Sequence, residues 1–355
     1  MSGRKDLVIT KLKKLKSKLL NLKSSLELKF IPVIMGSGFL SSLYFTFFST
    51  SFYREHKSVL SGRVNYERSL STIKESCILL RRNIHRLEKG LIMQPRRDVF
   101  ASGYIDETVN CYSVAIKSNE LCESEKKWAT DVLAEYFNVV ADVDDVRASR
   151  VKFNNVAKIG SITSIPYKYS ELPEAETSYE QLIVAFKRRR SVRWYQDKVV
   201  PRELIEKAIS AASLAPSACN RQPYNFRLTT NVDLASKVAS IAMGTGGWSH
   251  SIPALIVVVG SLSAYPKERD RHVIYIDGAL AAMQLMLALD SLGLSSCPIN
   301  WPDIENLERK MGKALDLADY ERPIMLISIG YADETGGIPF SDKKTNKVLV
   351  KDIIE

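Results

Sequence analysis

Six consecutive apolar residues, Ala254–Val259 (ALIVVV), have the length and composition of a β-strand covered on both faces. A second such run, Pro323–Ile329, is stopped by Gly330, and Phe226–Thr230 reads as a shorter strand. Helical patterns lie between them. Tyr179–Arg188 suits a helix. Pro201 opens another, with Glu203, Leu204, Ala208, Ile209, Ala211 and Ala212, which ends before Pro216. Tyr275–Leu292 carries Ala279, Ala282, Met283, Met286 and Leu289 at helical spacing and closes on Gly293. From Ser178 onward the pattern therefore predicts an α+β domain over 178–355, a mixed β-sheet flanked by helices.

Upstream the texture changes. Residues 53–145 read as mostly helical, with Leu70, Ile73, Cys77, Leu80, Ile84 and Leu87 on one apolar face and Trp128, Val132, Leu133, Tyr136 and Phe137 on another. His85 and Glu88 stand three apart, the spacing of a hydrogen bond or ion pair; no second ligand pair accompanies them, so no metal site is expected. Residues 146–177, which include IPYKYSELPEAET, read as an irregular linker.

The chain's formal charge of +10 invites a nucleic-acid reading until it is mapped. Residues 1–29 carry nine cations against two anions, which accounts for +7 of it. The basic character belongs to a tail, and a nucleic-acid partner is not expected. Within that tail Ile9, Leu12, Leu15, Leu19, Leu22 and Leu26 recur at helical steps between lysines. The next 23 residues, Phe30–Phe52, hold no charge, yet nine are Ser, Thr or Gly. Residues 1–52 thus form a basic amphipathic tail and an apolar segment. A membrane span, an interfacial helix and packing on the protein's own body all fit it. A span with the lysines inside would export the body. Five scattered cysteines without a C-x-x-C pair place that body in a reducing, cytoplasmic setting, so surface attachment or packing is preferred.

Three stretches carry chemistry. Arg188–Arg193 (RRRSVR) offers guanidinium forks and a hydroxyl suited to phosphate, although a helix C-terminus favours cations in any case. Ala215–Tyr224 (APSACNRQPY) is a rigid, polar loop that can hold a heterocycle or serve as a plain turn. Gly293–Asn300 (GLSSCPIN) is a helix stop leading into extended chain. None contains an acid–base pair, a nucleophile–base pair or a metal set, and neither G-x-G-x-x-G nor a P-loop is present. Phosphate binders without side-chain catalysts suggest that a cofactor carries the chemistry.

In order and spacing, RRSVRWY, APSACNRQPY, IDGALAAMQLMLALDSLGLSSCPIN and PIMLISIGYAD resemble the FMN-dependent nitroreductase family over about residues 178–350. The resemblance implies a homodimer with FMN at the interface, NAD(P)H as reductant, and ping-pong hydride transfer through the flavin N5 to a small planar acceptor such as a nitro compound or quinone. It places Arg189, Arg190, Ser191 and Arg193 on the FMN phosphate, ribityl chain and N1/O2 edge. Pro216, Ser217 and Asn220 would come from the partner subunit with Gln222 nearby, and Pro298, Ile299 and Asn300 would line the flavin face. No side chain is assigned as catalytic. Two departures stand out. Trp301 occupies a position where relatives often have glycine, and its ring could narrow the substrate slot or shift the backbone. Lys343, with Lys344 close behind, is the candidate to replace a phosphate arginine common near the C-terminus of relatives. These departures support an alternative, a flavin-binding but redox-specialised or non-catalytic module whose helical half binds a partner or a membrane surface.

Overall fold

The computed structural model describes residues 14, 15, 18, 29–70, 72–74 and 76–353. Most of the basic amphipathic pattern of residues 1–29 lies outside them. The chain divides into two units, Met1–His56 and Lys57–Glu355.

In the first unit residues 29–34 are helical, Met35–Ser37 form a break, and helix α1 (Gly38–Phe47) follows. Ser37 starts α1 by accepting the Leu40 N–H on its hydroxyl. Helix α2 (Tyr53–Ser69) begins in this unit.

The second unit holds both the helical region and the sheet. Helices α3 (Ile78–Leu91), α4 (Ile105–Ala115), α5 (Glu123–Val139) and α6 (Asp144–Val156) share a core of Leu80, Ile84, Leu87, Val109, Tyr112, Leu133, Tyr136 and Phe153. The expected apolar positions Leu80, Ile84, Leu87, Val132, Leu133, Tyr136 and Phe137 are all buried there. Helix α6 is a difference from the sequence reading, which had residues from 146 onward as irregular. Val146 and Phe153 are buried seven residues apart, and this sparse stripe within DDVRASRVKFNNV is enough to fix a helix against existing core.

The body is a four-stranded antiparallel sheet in the order β1-β2-β4-β3, formed by β1 (Tyr224–Thr229), β2 (Ala254–Ser261), β3 (Ser295–Asn300) and β4 (Glu321–Gly330). Around it lie α7 (Tyr179–Arg188), α8 (Arg202–Ala212), α9 (Val232–Ala239), α10 (Val273–Ser291) and α11 (Glu305–Leu315). Strand β2 explains why ALIVVV is apolar throughout. Leu255, Val257 and Val259 point into a core with Trp248, Ile252 and α9, whereas Ala254, Ile256 and Val258 point into one with Ala208, Ala282 and Leu285. Period-two alternation with both faces covered leaves no polar position. The β2–β4 register slips between Val258 and Val259, so that Val258 faces Met325 while Val259 faces Pro323. The proline, which has no N–H to donate, thus sits at a bulge. Pro201 caps α8, and Gly293 follows α10 at φ +78°, the left-handed position that a helix stop requires.

Candidate functional site

After α7 the backbone straightens and runs beside β3. The Val192 N–H donates to the Ser296 carbonyl at 3.1 Å, and Ser191 and Ser296 form an isolated parallel bridge. Val192 enters the core, and the Arg190 guanidinium turns to the carbonyls of Pro339 and Phe340. Arg189, Ser191 and Arg193 all bear on the Cys297 thiol of β3. Burial pushes that thiol up from its usual value, opposed by the Arg193 charge, the Ser191 hydroxyl and the Arg189 charge. Arg188, one step earlier, is engaged by Asp290 at 3.2 Å.

The donors of this group are poorly consumed. Arg189 Nε is buried and has no hydrogen-bond partner among the described residues. The Arg193 guanidinium makes a 3.4 Å contact to the Ser191 carbonyl and stands 5.9 Å from the Trp248 ring. The third stretch follows on β3: Pro298 is half-buried, Ile299 buried and Asn300 exposed at the strand end, paired with Met325. Lys343 is exposed, three residues beyond the Phe340 carbonyl that Arg190 holds. The Arg189–Arg193 segment and β3 are therefore neighbours.

The 215–224 loop is built differently. Cys219, Asn220 and Gln222 all have φ near +50°, a left-handed conformation that costs a non-glycine residue about 1 kcal/mol or more. Compensating bonds surround them. Ala218 N–H donates to the Asp277 carboxylate of α10 at 3.0 Å, and the Gln222 N–H donates to Ser217 Oγ at 3.1 Å. Arg221 lies 5.0 Å from the Tyr265 ring. From the helical region, Arg81 of α3 donates Nε to the Asn220 carbonyl and Nη2 to Gln222 Oε1, both at 3.1 Å. Its third arm meets Glu125 at 2.9 Å, and Glu125 also accepts from the Cys77 N–H and the Ser76 hydroxyl. Ser217, Asn220 and Gln222 are half-buried and Pro216 exposed. Among the described residues no hydrogen bond joins this loop to Arg189–Arg193 within one chain.

Burial raises the Asp277 carboxyl above its ordinary value, partly offset by the Ala218 N–H, the Tyr265 hydroxyl and the Arg221 charge. His85 and Glu88 meet at 3.0 Å, and Glu88 also accepts from the Trp128 indole, so the pair is an ordinary hydrogen-bonded one.

The Trp301 ring is 8% exposed, packs in the core with Tyr195, Trp248 and Met311, and donates Nε1 to Glu308 at 2.5 Å. Ile299 and Trp301 are buried and Asn300 between them is exposed, so strand alternation carried one residue past β3 brings the ring inward. Sequence reasoning also missed Arg81 and Glu125, because their partners lie up to 141 residues away and no local pattern marks them. Asp277 was within a quoted block, IDGALAAMQ, but its role appears only through the loop it caps.

The sequence model of the nitroreductase family matches residues 186–246 and 244–331, which span the Arg-rich segment, the polar loop and β3. A protein of Archaeoglobus fulgidus bearing the name NADH dehydrogenase/NAD(P)H nitroreductase is 30% identical over 164 residues, 44% of this chain and 89% of its own length. A protein of the same name from Methanothermobacter thermautotrophicus is 28% identical over 164 residues, 46% of this chain and 84% of its own. Iodotyrosine deiodinase 1 of Mus musculus is 24% identical over 217 residues, 52% of this chain and 74% of its own. With both its sequence blocks and its relatives in agreement, the chain belongs to the nitroreductase family.

Proposed function

We propose that this chain is an FMN-dependent oxidoreductase that takes reducing equivalents from NAD(P)H and delivers them to a small planar acceptor: a nitro compound, a quinone or, by its likeness to the deiodinase, a halogenated phenol. The observation that carries the reading is the convergence of Arg189, Ser191 and Arg193 beside β3, with the buried Arg189 Nε left without a partner. Unpaired cationic donors in a half-buried site are costly unless an anion completes them, and a phosphate-bearing flavin supplies one. The residues present thus fit the group.

In this reading Arg189, Arg190 and Lys343 hold the phosphate, while Ser191 and Arg193 hold the ribityl chain and the N1/O2 edge. Pro298, Ile299 and Asn300 line the ring face. Pro216, Ser217, Asn220 and Gln222, which make no hydrogen bond to that segment in their own chain, act on the site of a second copy in a homodimer. FMN, when bound, supplies the two-electron carrier between reductant and acceptor. The chain's own task is to orient it and to favour its reduced, anionic form through the fixed Arg193 charge. Stacking reductant and acceptor in turn over one slot makes turnover ping-pong, with proximity as the main contribution. Trp301, turned into the core, gives no support to a non-catalytic module.

The test is the absorbance spectrum of the purified full-length protein before and after anaerobic NADH or NADPH. Oxidised-flavin bands that bleach are expected. A protein that takes up no flavin after incubation with FMN would overturn the reading. Arg193→Ala is expected to lower both flavin content and reduction rate; unchanged values would refute its assignment to the N1/O2 edge.

A further inference from the structure

Helix α1 is a ten-residue helix (GFLSSLYFTF) in which no residue is buried. Phe39 is 71% exposed, and Phe47 and Phe48 are 73% and 72% exposed. Val33 before the break and Met35 at its start are as open, and Phe30 nearly so. An all-round apolar helix left exposed needs a cover.

The polar groups of this segment are already satisfied internally. Ser41 donates to the Ile34 carbonyl at 3.2 Å, Ser42 to Gly38 at 2.9 Å and Thr46 to Ser42 at 2.8 Å. The Tyr53 hydroxyl returns to the Thr46 carbonyl at 2.5 Å. Hydroxyls that bond their own backbone can enter an apolar phase cheaply, so the Ser and Thr content of the run is no bar to lipid. Neighbouring rings also pack on one another: Phe45 and Phe52 meet edge to face at 4.6 Å.

Three covers from outside the chain are conceivable, and two meet physical objections. A bilayer span needs about 20 continuous helical residues for a core of about 30 Å. The break at Met35–Ser37 leaves α1 with ten residues, about 15 Å at 1.5 Å per residue. A second copy of the segment would bring together two tails that each carry +7 over residues 1–29. An anionic lipid surface meets both requirements, because it takes up the aromatic side chains at headgroup depth and attracts the lysines.

From this we infer that residues 1–52 form a monotopic anchor that seats the Phe39, Phe47 and Phe48 side chains in the interface of an anionic bilayer, with the lysine-rich tail on its headgroups. The inference is independent of the flavin reading.

The experiment is flotation of the purified full-length protein with vesicles of phosphatidylcholine alone or with one quarter phosphatidylglycerol. Binding to the anionic vesicles, at least tenfold above neutral ones and weakened by high salt, is expected. Phe39→Ser with Phe47→Ser and Phe48→Ser is expected to lower that binding by tenfold or more. Because the three rings are exposed, circular dichroism and thermal midpoint should not change. Replacing Lys11, Lys13, Lys14, Lys16 and Lys18 by Gln is expected to abolish the preference for anionic lipid. Three outcomes overturn the proposal. They are no flotation with either vesicle, equal and carbonate-resistant binding to both (a span), or a soluble oligomer that the Phe variant dissociates (a second copy).

Discussion

Arg81 is the side chain through which the helical region grips the polar loop, and its removal has a consequence that can be sized. In Arg81→Ala the Glu125 carboxylate, 4% exposed, keeps the Cys77 N–H and the Ser76 hydroxyl but loses its counter-charge. Removing one partner of a buried ion pair costs about 3–5 kcal/mol. Arg81 itself is 16% exposed, so water partly replaces it and the lower end applies, about 3 kcal/mol. At about 2 °C per kcal/mol for a unit this large, the thermal midpoint falls by about 6 °C. The same change strips two charge-assisted hydrogen bonds from the loop that holds three residues at φ near +50°, so the backbone of 216–224 should relax. Arg81→Lys separates the two effects: a lysine retains the charge opposite Glu125 but lacks the fork that reaches Asn220 and Gln222 together. Thermal melts combined with amide hydrogen exchange over 216–224 are the assay. The alanine variant should lose both stability and loop protection. The lysine variant should recover most of the stability and little of the protection. Loop exchange in Arg81→Ala that matches the wild type would refute the clamp, whatever happens to the melting point.

Two further predictions concern residues around the site. Burial raises the Asp277 carboxyl, so the folded state holds its proton more tightly than the unfolded chain does. Stability is therefore fully present below the ordinary value near 3.8 and is lost as pH rises through the raised folded value. Asp277→Asn should flatten that loss, seen as a smaller drop in urea midpoint from pH 4 to 7; an unchanged drop would show that another group sets it. Trp301→Phe removes the indole bond to buried Glu308 and should cost about 1.5–3 kcal/mol in urea unfolding. Flavin content per folded protein should not change, since the ring lies in the core; loss of flavin at full stability would return Trp301 to the site.

Much of the fold was legible because its signals are local. ALIVVV needs both faces covered wherever it occurs, Pro201 favours a helix start, and Gly293 supplies the conformation of a stop. The Arg189–Arg193 segment and the GLSSCPIN stretch were also recognisable as chemistry, and the structure sets them side by side through Ser191 and Ser296. What stayed hidden depends on distant partners. Helix α6 is specified mainly by Val146 and Phe153 meeting a core assembled elsewhere. The indole of Trp301 meets Glu308, which is itself buried with Arg322 at 3.5 Å. Cys77 and Cys111, 34 residues apart, bring their sulfurs to 3.4 Å in the helical core, a meeting that neither sequence neighbourhood announces.

The main-chain bridge at Ser191 makes the arginine run a matter of position. With the backbone tied to β3 at Ser191 and Ser296, each residue has its own place: Arg189 and Arg193 bear on the Cys297 thiol, Arg190 reaches the Pro339 and Phe340 carbonyls, and Val192 enters the core. Four arginines in six positions look interchangeable on paper and are not. Loss of one of the three arginine codons before Ser191 would still leave arginine at both positions ahead of the bridge. A codon gained or lost between 191 and 193 would instead carry Arg193 away from the thiol, so this stretch should resist a change in length more than the run before it.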